Sequence, residues 1–142
     1  MRIKRLVSAG VLAAMVTMSL GTVAQAYNDN SYQQSLGFDD FSGPQNTDYH
    51  YKDTSTSIFI SYDWGTSQGD NRIRFGTMGA YDNNGNGAND VSNNHYYIMY
   101  PGESRGDIYN WVNEWGYSNA AIQASTMGDS AVSMVMTWRL DN

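Results

Sequence analysis

The chain has 142 residues, with eight Lys and Arg against fourteen Asp and Glu and no Cys. This length fits one domain of ordinary size. The missing Cys excludes disulfides and a thiol nucleophile, and the acidic balance argues against nucleic acid, whose phosphates are held mainly by Lys and Arg.

Residues 1–26 have the three parts of a signal peptide in the expected order. Basic residues come first, a largely apolar stretch follows over 6–20, and Ala24-Gln25-Ala26 supplies the small-x-small cleavage motif. The apolar stretch is shorter than the roughly 20 residues of a membrane-spanning helix. We therefore expect cleavage after Ala26 and a secreted mature chain, residues 27–142, without a membrane span. Cleavage removes the three basic residues of the signal peptide. Residues 27–142 then have five basic residues against fourteen acidic ones, a net charge of −9.

The mature chain predicts mainly β-structure. Its clearest strand covers 58–64, where Ile58, Ile60, Tyr62 and Trp64 alternate with polar residues. Further strands are predicted near Phe38 and over 72–81, 95–100, 120–125 and 131–140. Turns rich in Gly, Asn and Asp separate these short strands, which favours a single antiparallel β-sandwich over 27–142. Trp64 and Trp138 lie on apolar strand faces and are expected in its core.

The stretch 107–116 is compatible with two structures. Helical spacing relates Ile108, Trp111, Val112 and Trp115, with Asp107 as a possible N-cap and Gly116 just past the end. The same residues alternate and have side chains that favour strands. A short helix is the preferred prediction. If Trp111 and Trp115 are exposed together, they form an apolar patch of the kind that binds a ligand.

The loop 82–90 matches the front half of a calcium-binding loop. The ligands would be Asp82, Asn84, Asn86, the carbonyl of Ala88, and Asp90. Asn93 occupies the twelfth position, where such loops have a bidentate Glu, and Asn-Gly pairs are also common in plain turns. Calcium is the one cofactor that the sequence suggests, and a simple hairpin loop is the alternative.

Two motifs in the second half of the chain carry a family resemblance. The pattern Ile108-x-Asn110-x-Val112-x-Glu114-x-Gly116-Tyr117 and a last strand ending Trp138-Arg139-Leu140-Asp141-Asn142 resemble a family of small secreted Gram-positive bacterial proteins of unknown function. The chain departs from the family pattern at Thr137 and at Arg139-Leu140. A weaker resemblance is to lactococcin-type bacteriocins. Both imply export and a β-rich fold, and neither brings catalytic residues.

No catalytic constellation stands out in the sequence. The mature chain is therefore predicted to be a non-enzymatic protein that binds a cell-envelope or extracellular ligand such as a polysaccharide. The alternative is a secreted bacteriocin or toxin-like protein, which would inhibit bacterial growth. A hydrolase that uses Asp39, Asp40, Asp63 or Asp70 ranks third, because acidic residues in polar loops are usually only solvated.

Export can be tested directly. Mass spectrometry of the culture medium should find a chain that begins at or near Tyr27, because signal peptidase cuts after the small-x-small motif. A full-length protein that stays in the cytosol would contradict the predicted leader.

Overall fold

Alternating apolar and polar residues produce two antiparallel sheets. The computed structural model describes residues 31–39, 43–52, 54–67, 70–128 and 131–140. The strands of this part are β1 (Ser31–Phe38), β2 (Gln45–Asn46), β3 (His50–Tyr51), β4 (Ile58–Ser67), β5 (Ile73–Ala80), β6 (Asn89–Asp90), β7 (Tyr97–Met99), β8 (Ser104–Ile108), β9 (Asn119–Thr126) and β10 (Val132–Arg139). None of the described residues forms a helix that is long and apolar enough to cross a membrane. The predicted signal peptide lies outside the described residues.

The two sheets have different strand orders. The first contains four strands in the order β1-β10-β4-β8. The second is centred on β9 and β5, which pair over eight residues from Ile73↔Thr126 to Ala80↔Asn119. The edge of β9 that faces away from β5 pairs with the two short strands β2 and β3. The edge of β5 that faces away from β9 pairs with β6 and β7. Every one of these pairings is antiparallel, so the predicted mostly β, antiparallel fold is confirmed.

One hydrophobic cluster draws on both sheets. The first sheet contributes Ile58, Ile60, Met136 and Trp138, and the second contributes Ile73, Phe75, Ile122 and Ala124. Burial of this apolar surface is the main favourable contribution to the free energy of folding. The described residues contain no disulfide, as a chain without Cys requires.

The buried cation Lys52 also links the sheets. It follows β3, is 1% exposed, and donates from Nζ to the carbonyl oxygen of Leu140, just past β10, at 2.7 Å. A buried ammonium group needs such polar partners, because leaving water without them would be costly.

The expectation for Trp64 is wrong, and a β-bulge explains why. Tyr62 opposes Met136 while Trp64 opposes the adjacent Val135, so the register shifts between these pairs. The extra residue, Asp63, reverses the faces of the residues that follow. Trp64 is consequently 53% exposed, whereas Trp138 is fully buried as expected.

The short helix predicted near 107–116 is also absent. Asp107 belongs to β8, where its carboxylate pairs with Arg105 at 2.7 Å instead of capping a helix. Beyond β8 the chain makes a single turn, in which the amide of Trp115 donates to the carbonyl of Trp111. Gly116, with a φ of 79°, ends that turn. The helical spacing reflects one turn only, because Gly116 reverses the chain before a second turn forms.

Two isoleucines test where the core lies. Replacing fully buried Ile122 with Ala should lower the free energy of unfolding by about 2–5 kcal/mol, since it removes apolar contacts and leaves a cavity. Ile98 is 48% exposed, and the same change there should cost about 0.5 kcal/mol. Denaturant unfolding measures both values, and equal losses would contradict this placement of the core.

Candidate functional site

An open groove lies at one end of the second sheet. Its volume is about 580 Å³, and it is lined by Asp48, Tyr49, His50, Tyr51, Tyr81, Asp82, Asn83 and Asn119. The lining residues come from three places in the chain: the β3 region, the loop after β5, and the start of β9. Long-range strand pairing is therefore what brings the groove together.

The two walls meet at Ser118 and Asn119. In the sheet, Asn119 stands opposite Tyr51 on one side and Ala80 on the other. The amide of Ser118 donates to the carbonyl of Ala80 at 3.2 Å, and its carbonyl accepts from the amide of Lys52 at 2.9 Å. The Ser118 hydroxyl donates to the carbonyl of Tyr81 at 2.9 Å. These bonds fix the spacing between the walls that carry Tyr51 and Tyr81.

Two tyrosine rings of the groove face solvent. Tyr51 is 67% exposed and Tyr81 is 62% exposed, although both are large aromatic side chains. Beside them lie two carboxylates, Asp48 and Asp82, and the amides of Asn83 and Asn119. Such a combination offers ring faces for stacking and polar groups for hydrogen bonds.

The predicted calcium loop supports the aromatic wall. Gly85 and Gly87 have φ values of 80° and 67°. A Cβ atom at Gly85 would lie 2.9 Å from the ring of Tyr49, and one at Gly87 would lie 2.7 Å from the ring of Tyr81. Both positions therefore need glycine for the backbone conformation and for the close approach of a ring.

The carboxylates of the predicted calcium set bond to separate partners. Asp82 accepts hydrogen bonds from the amides of Asn84 and Asn86, at 2.9 and 3.1 Å, and from the Asn86 side chain at 2.5 Å. These hydrogen bonds lower the pKa of Asp82 and keep it ionised. The side chain of Asn86 thus presents its NH₂ group to Asp82, whereas binding calcium would require its oxygen.

Asp90 lies in β6, opposite Met78. Its carboxylate accepts from the amide of Ser92 at 2.8 Å, from the Ser92 hydroxyl at 2.6 Å, and from the Tyr96 hydroxyl. Within the described residues, no three His, Cys, Asp or Glu side chains come together as a possible metal site. Calcium at Asp82, Asn84, Asn86, Ala88 and Asp90 stays a prediction, which a rise in melting temperature with millimolar calcium would support.

Trp111 and Trp115 are brought together, but neither lines the groove. Their ring centroids are 5.3 Å apart in an edge-to-face arrangement. Trp115 is 45% exposed, whereas Trp111 is partly buried against the core. Two more rings extend this aromatic cluster. The ring centroid of Tyr109 lies 5.8 Å from that of Trp111, and the centroid of His95 lies 4.5 Å from that of Tyr109. The ligand-binding prediction for the two Trp residues remains a prediction.

Sequence reasoning did not identify the groove. The sequence assigns Asp48-Tyr49-His50-Tyr51 to a polar segment and predicts that Tyr81 ends a strand. The only local signal is that Tyr81 directly precedes the Asn-Gly loop. The pairing of Tyr51 with Asn119 across 68 positions has no local signature.

Two of the acidic candidates for hydrolysis, Asp63 and Asp70, are held in structural contacts. Asp63 accepts from the Thr137 hydroxyl at 2.5 Å, and Asp70 pairs with Arg72. The hydrogen bonds from Arg72 lower the pKa of Asp70 to about 2. Asp40 lies outside the described residues.

No protein-family profile, curated protein or solved structure matches this chain.

His50 connects the groove to the hydrophobic core. Its imidazole stacks on Tyr32, with ring centroids 3.6 Å apart, and lies 5.5 Å from the ring of Trp138. Burial lowers the pKa of His50 below its ordinary value of 6.5, and the charge of Asp48 only partly offsets this effect. The imidazole is therefore neutral at pH 7.

The lowered pKa of His50 makes stability depend on pH. The unfolded chain takes up this proton at a higher pH than the folded chain does, so the folded state loses stability as the pH falls from about 7 to 5. Proton NMR should show that His50 titrates below 6.5, with the two His signals assigned from the His50→Gln and His95→Gln variants. Titration of His50 at or above 6.5 would contradict the buried, stacked arrangement.

Proposed function

We propose that the mature chain is a secreted, non-enzymatic protein that binds a polysaccharide of the cell envelope or the extracellular surroundings through this groove. The observation that carries the proposal is the pair of exposed rings, Tyr51 and Tyr81, in a groove with carboxylate and amide groups. Sugars combine apolar ring faces with many hydroxyls. Flat aromatic rings beside hydrogen-bonding groups suit both parts of such a ligand.

The shape and fixation of the groove support the same proposal. It is open to solvent and not an enclosed pocket, so a sugar within a longer polymer can reach it from the surface. Its walls are tied together by main-chain bonds at Ser118 and by the packing of Gly85 against Tyr49. A site whose groups are already in place loses less conformational entropy on binding.

Binding to insoluble glycan tests the proposal. The exported protein should be depleted from solution by cell walls or insoluble polysaccharide without releasing reducing sugar. Tyr51→Ala and Tyr81→Ala should each weaken binding by about 3- to 10-fold, since each removes one stacking face.

Tyr100→Ala is the matched control, because Tyr100 is 51% exposed and is not among the residues that line the groove. It should bind like the parent. Melting temperatures show whether each variant is folded. Equal binding by all three folded variants would contradict the assignment of the groove.

A further inference from the structure

We propose that the groove prefers glycans with free amino groups, such as polymers of glucosamine, over acetylated or anionic glycans. This inference rests on the proposed polysaccharide binding and specifies the chemical class of the ligand. It follows from the charges and ring faces that the lining presents.

The ionised side chains that line the groove are both negative. Asp48 and Asp82 both line it, and none of the described lining residues is Lys or Arg. The carboxylate of Asp82 is kept ionised by the donors of its own loop. His50 is neutral at pH 7, so it does not compensate these two negative charges.

Arginines elsewhere in the described residues have their own partners. Arg72 forms an ion pair with Asp70 at 2.5 Å, and Arg105 pairs with Asp107 at 2.7 Å. Residues 27–142 contain five Lys and Arg against fourteen Asp and Glu, a net charge of −9. An anionic polymer such as a polyuronate is therefore repelled both by the groove and by the rest of the protein.

The exposed tyrosine rings can attract a cation as well as stack on the face of a sugar ring. An ammonium group above an aromatic ring is attracted by the negative face of its π system. Tyr51 and Tyr81 present such faces in the same groove as Asp48 and Asp82. An amino sugar could place its ring on one tyrosine and its ammonium group near a carboxylate. Acetylation removes that charge while keeping the sugar ring.

Isothermal titration of the exported chain with three hexasaccharides tests the preference. The probes are hexamers of glucosamine, N-acetylglucosamine and galacturonate, compared at pH 7, where His50 is neutral and part of the glucosamine amines is protonated. The glucosamine hexamer should bind about tenfold more tightly than the acetylated one, from one ammonium–ring contact and one exposed ion pair. Raising the salt concentration should reduce this difference.

Two carboxylate variants locate the charge effect. Asp48→Asn should weaken glucosamine binding by about 2- to 5-fold more than it weakens N-acetylglucosamine binding, because only the glucosamine hexamer carries the ammonium groups that this carboxylate attracts. Glu114→Gln is the control, because Glu114 is exposed and does not line the groove. It should change neither affinity. An Asp48→Asn variant that keeps the full preference would overturn the role of that carboxylate in selecting the ligand.

The outcomes separate this inference from the proposed function. Equal binding of the glucosamine and N-acetylglucosamine hexamers, weakened in Tyr51→Ala, would overturn the preference and leave polysaccharide binding standing. Tightest binding of galacturonate would overturn it as well. A linear polyamine that binds as tightly as the glucosamine hexamer would show that charge alone suffices, which also contradicts the inference. Binding of no oligosaccharide would overturn both proposals.

Discussion

The pairing of β9 on both of its edges is the constraint on which the groove depends. At its start, Ser118 and Asn119 bond to the β3 region on one side and to the end of β5 on the other. These are backbone bonds and one hydroxyl bond of 2.9 Å, so their geometry allows little variation. The spacing of Tyr51 and Tyr81 is consequently a property of the sheet, and it does not rely on a mobile loop.

The Asn-Gly loop has a structural role in one wall of the groove. Asp82 organises it by accepting hydrogen bonds from Asn84 and Asn86, and Gly85 and Gly87 let its backbone contact two tyrosine rings. A loop built in this way contains the same Asp, Asn and Gly residues as the first half of a calcium loop. Both kinds of loop need a carboxylate that accepts backbone amides and glycines that allow a sharp turn, so the same residues suit either one.

Local pattern predicts the strands well and the groove poorly. Alternation identifies the strand that begins at Ile58 because burial on one face imposes a period of two. It fails at Trp64, since a bulge is determined by the partner strand, and at 107–116, where Gly116 stops the helix after one turn. Tyr51 and Asn119 become neighbours only through pairing across the sheet. Closing so long a loop leaves no trace in the sequence around either residue.

The stack of Tyr32, His50 and Trp138 gives the groove a direct connection to the interior. One face of the imidazole packs on Tyr32, and the buried indole lies close by, so His50 is shared between the groove and the core. Any occupant that restrains His50 also restrains the packing around Trp138. Occupancy and resistance to unfolding are then thermodynamically linked, and the shielded indole is placed where its fluorescence can report changes at the mouth of the site.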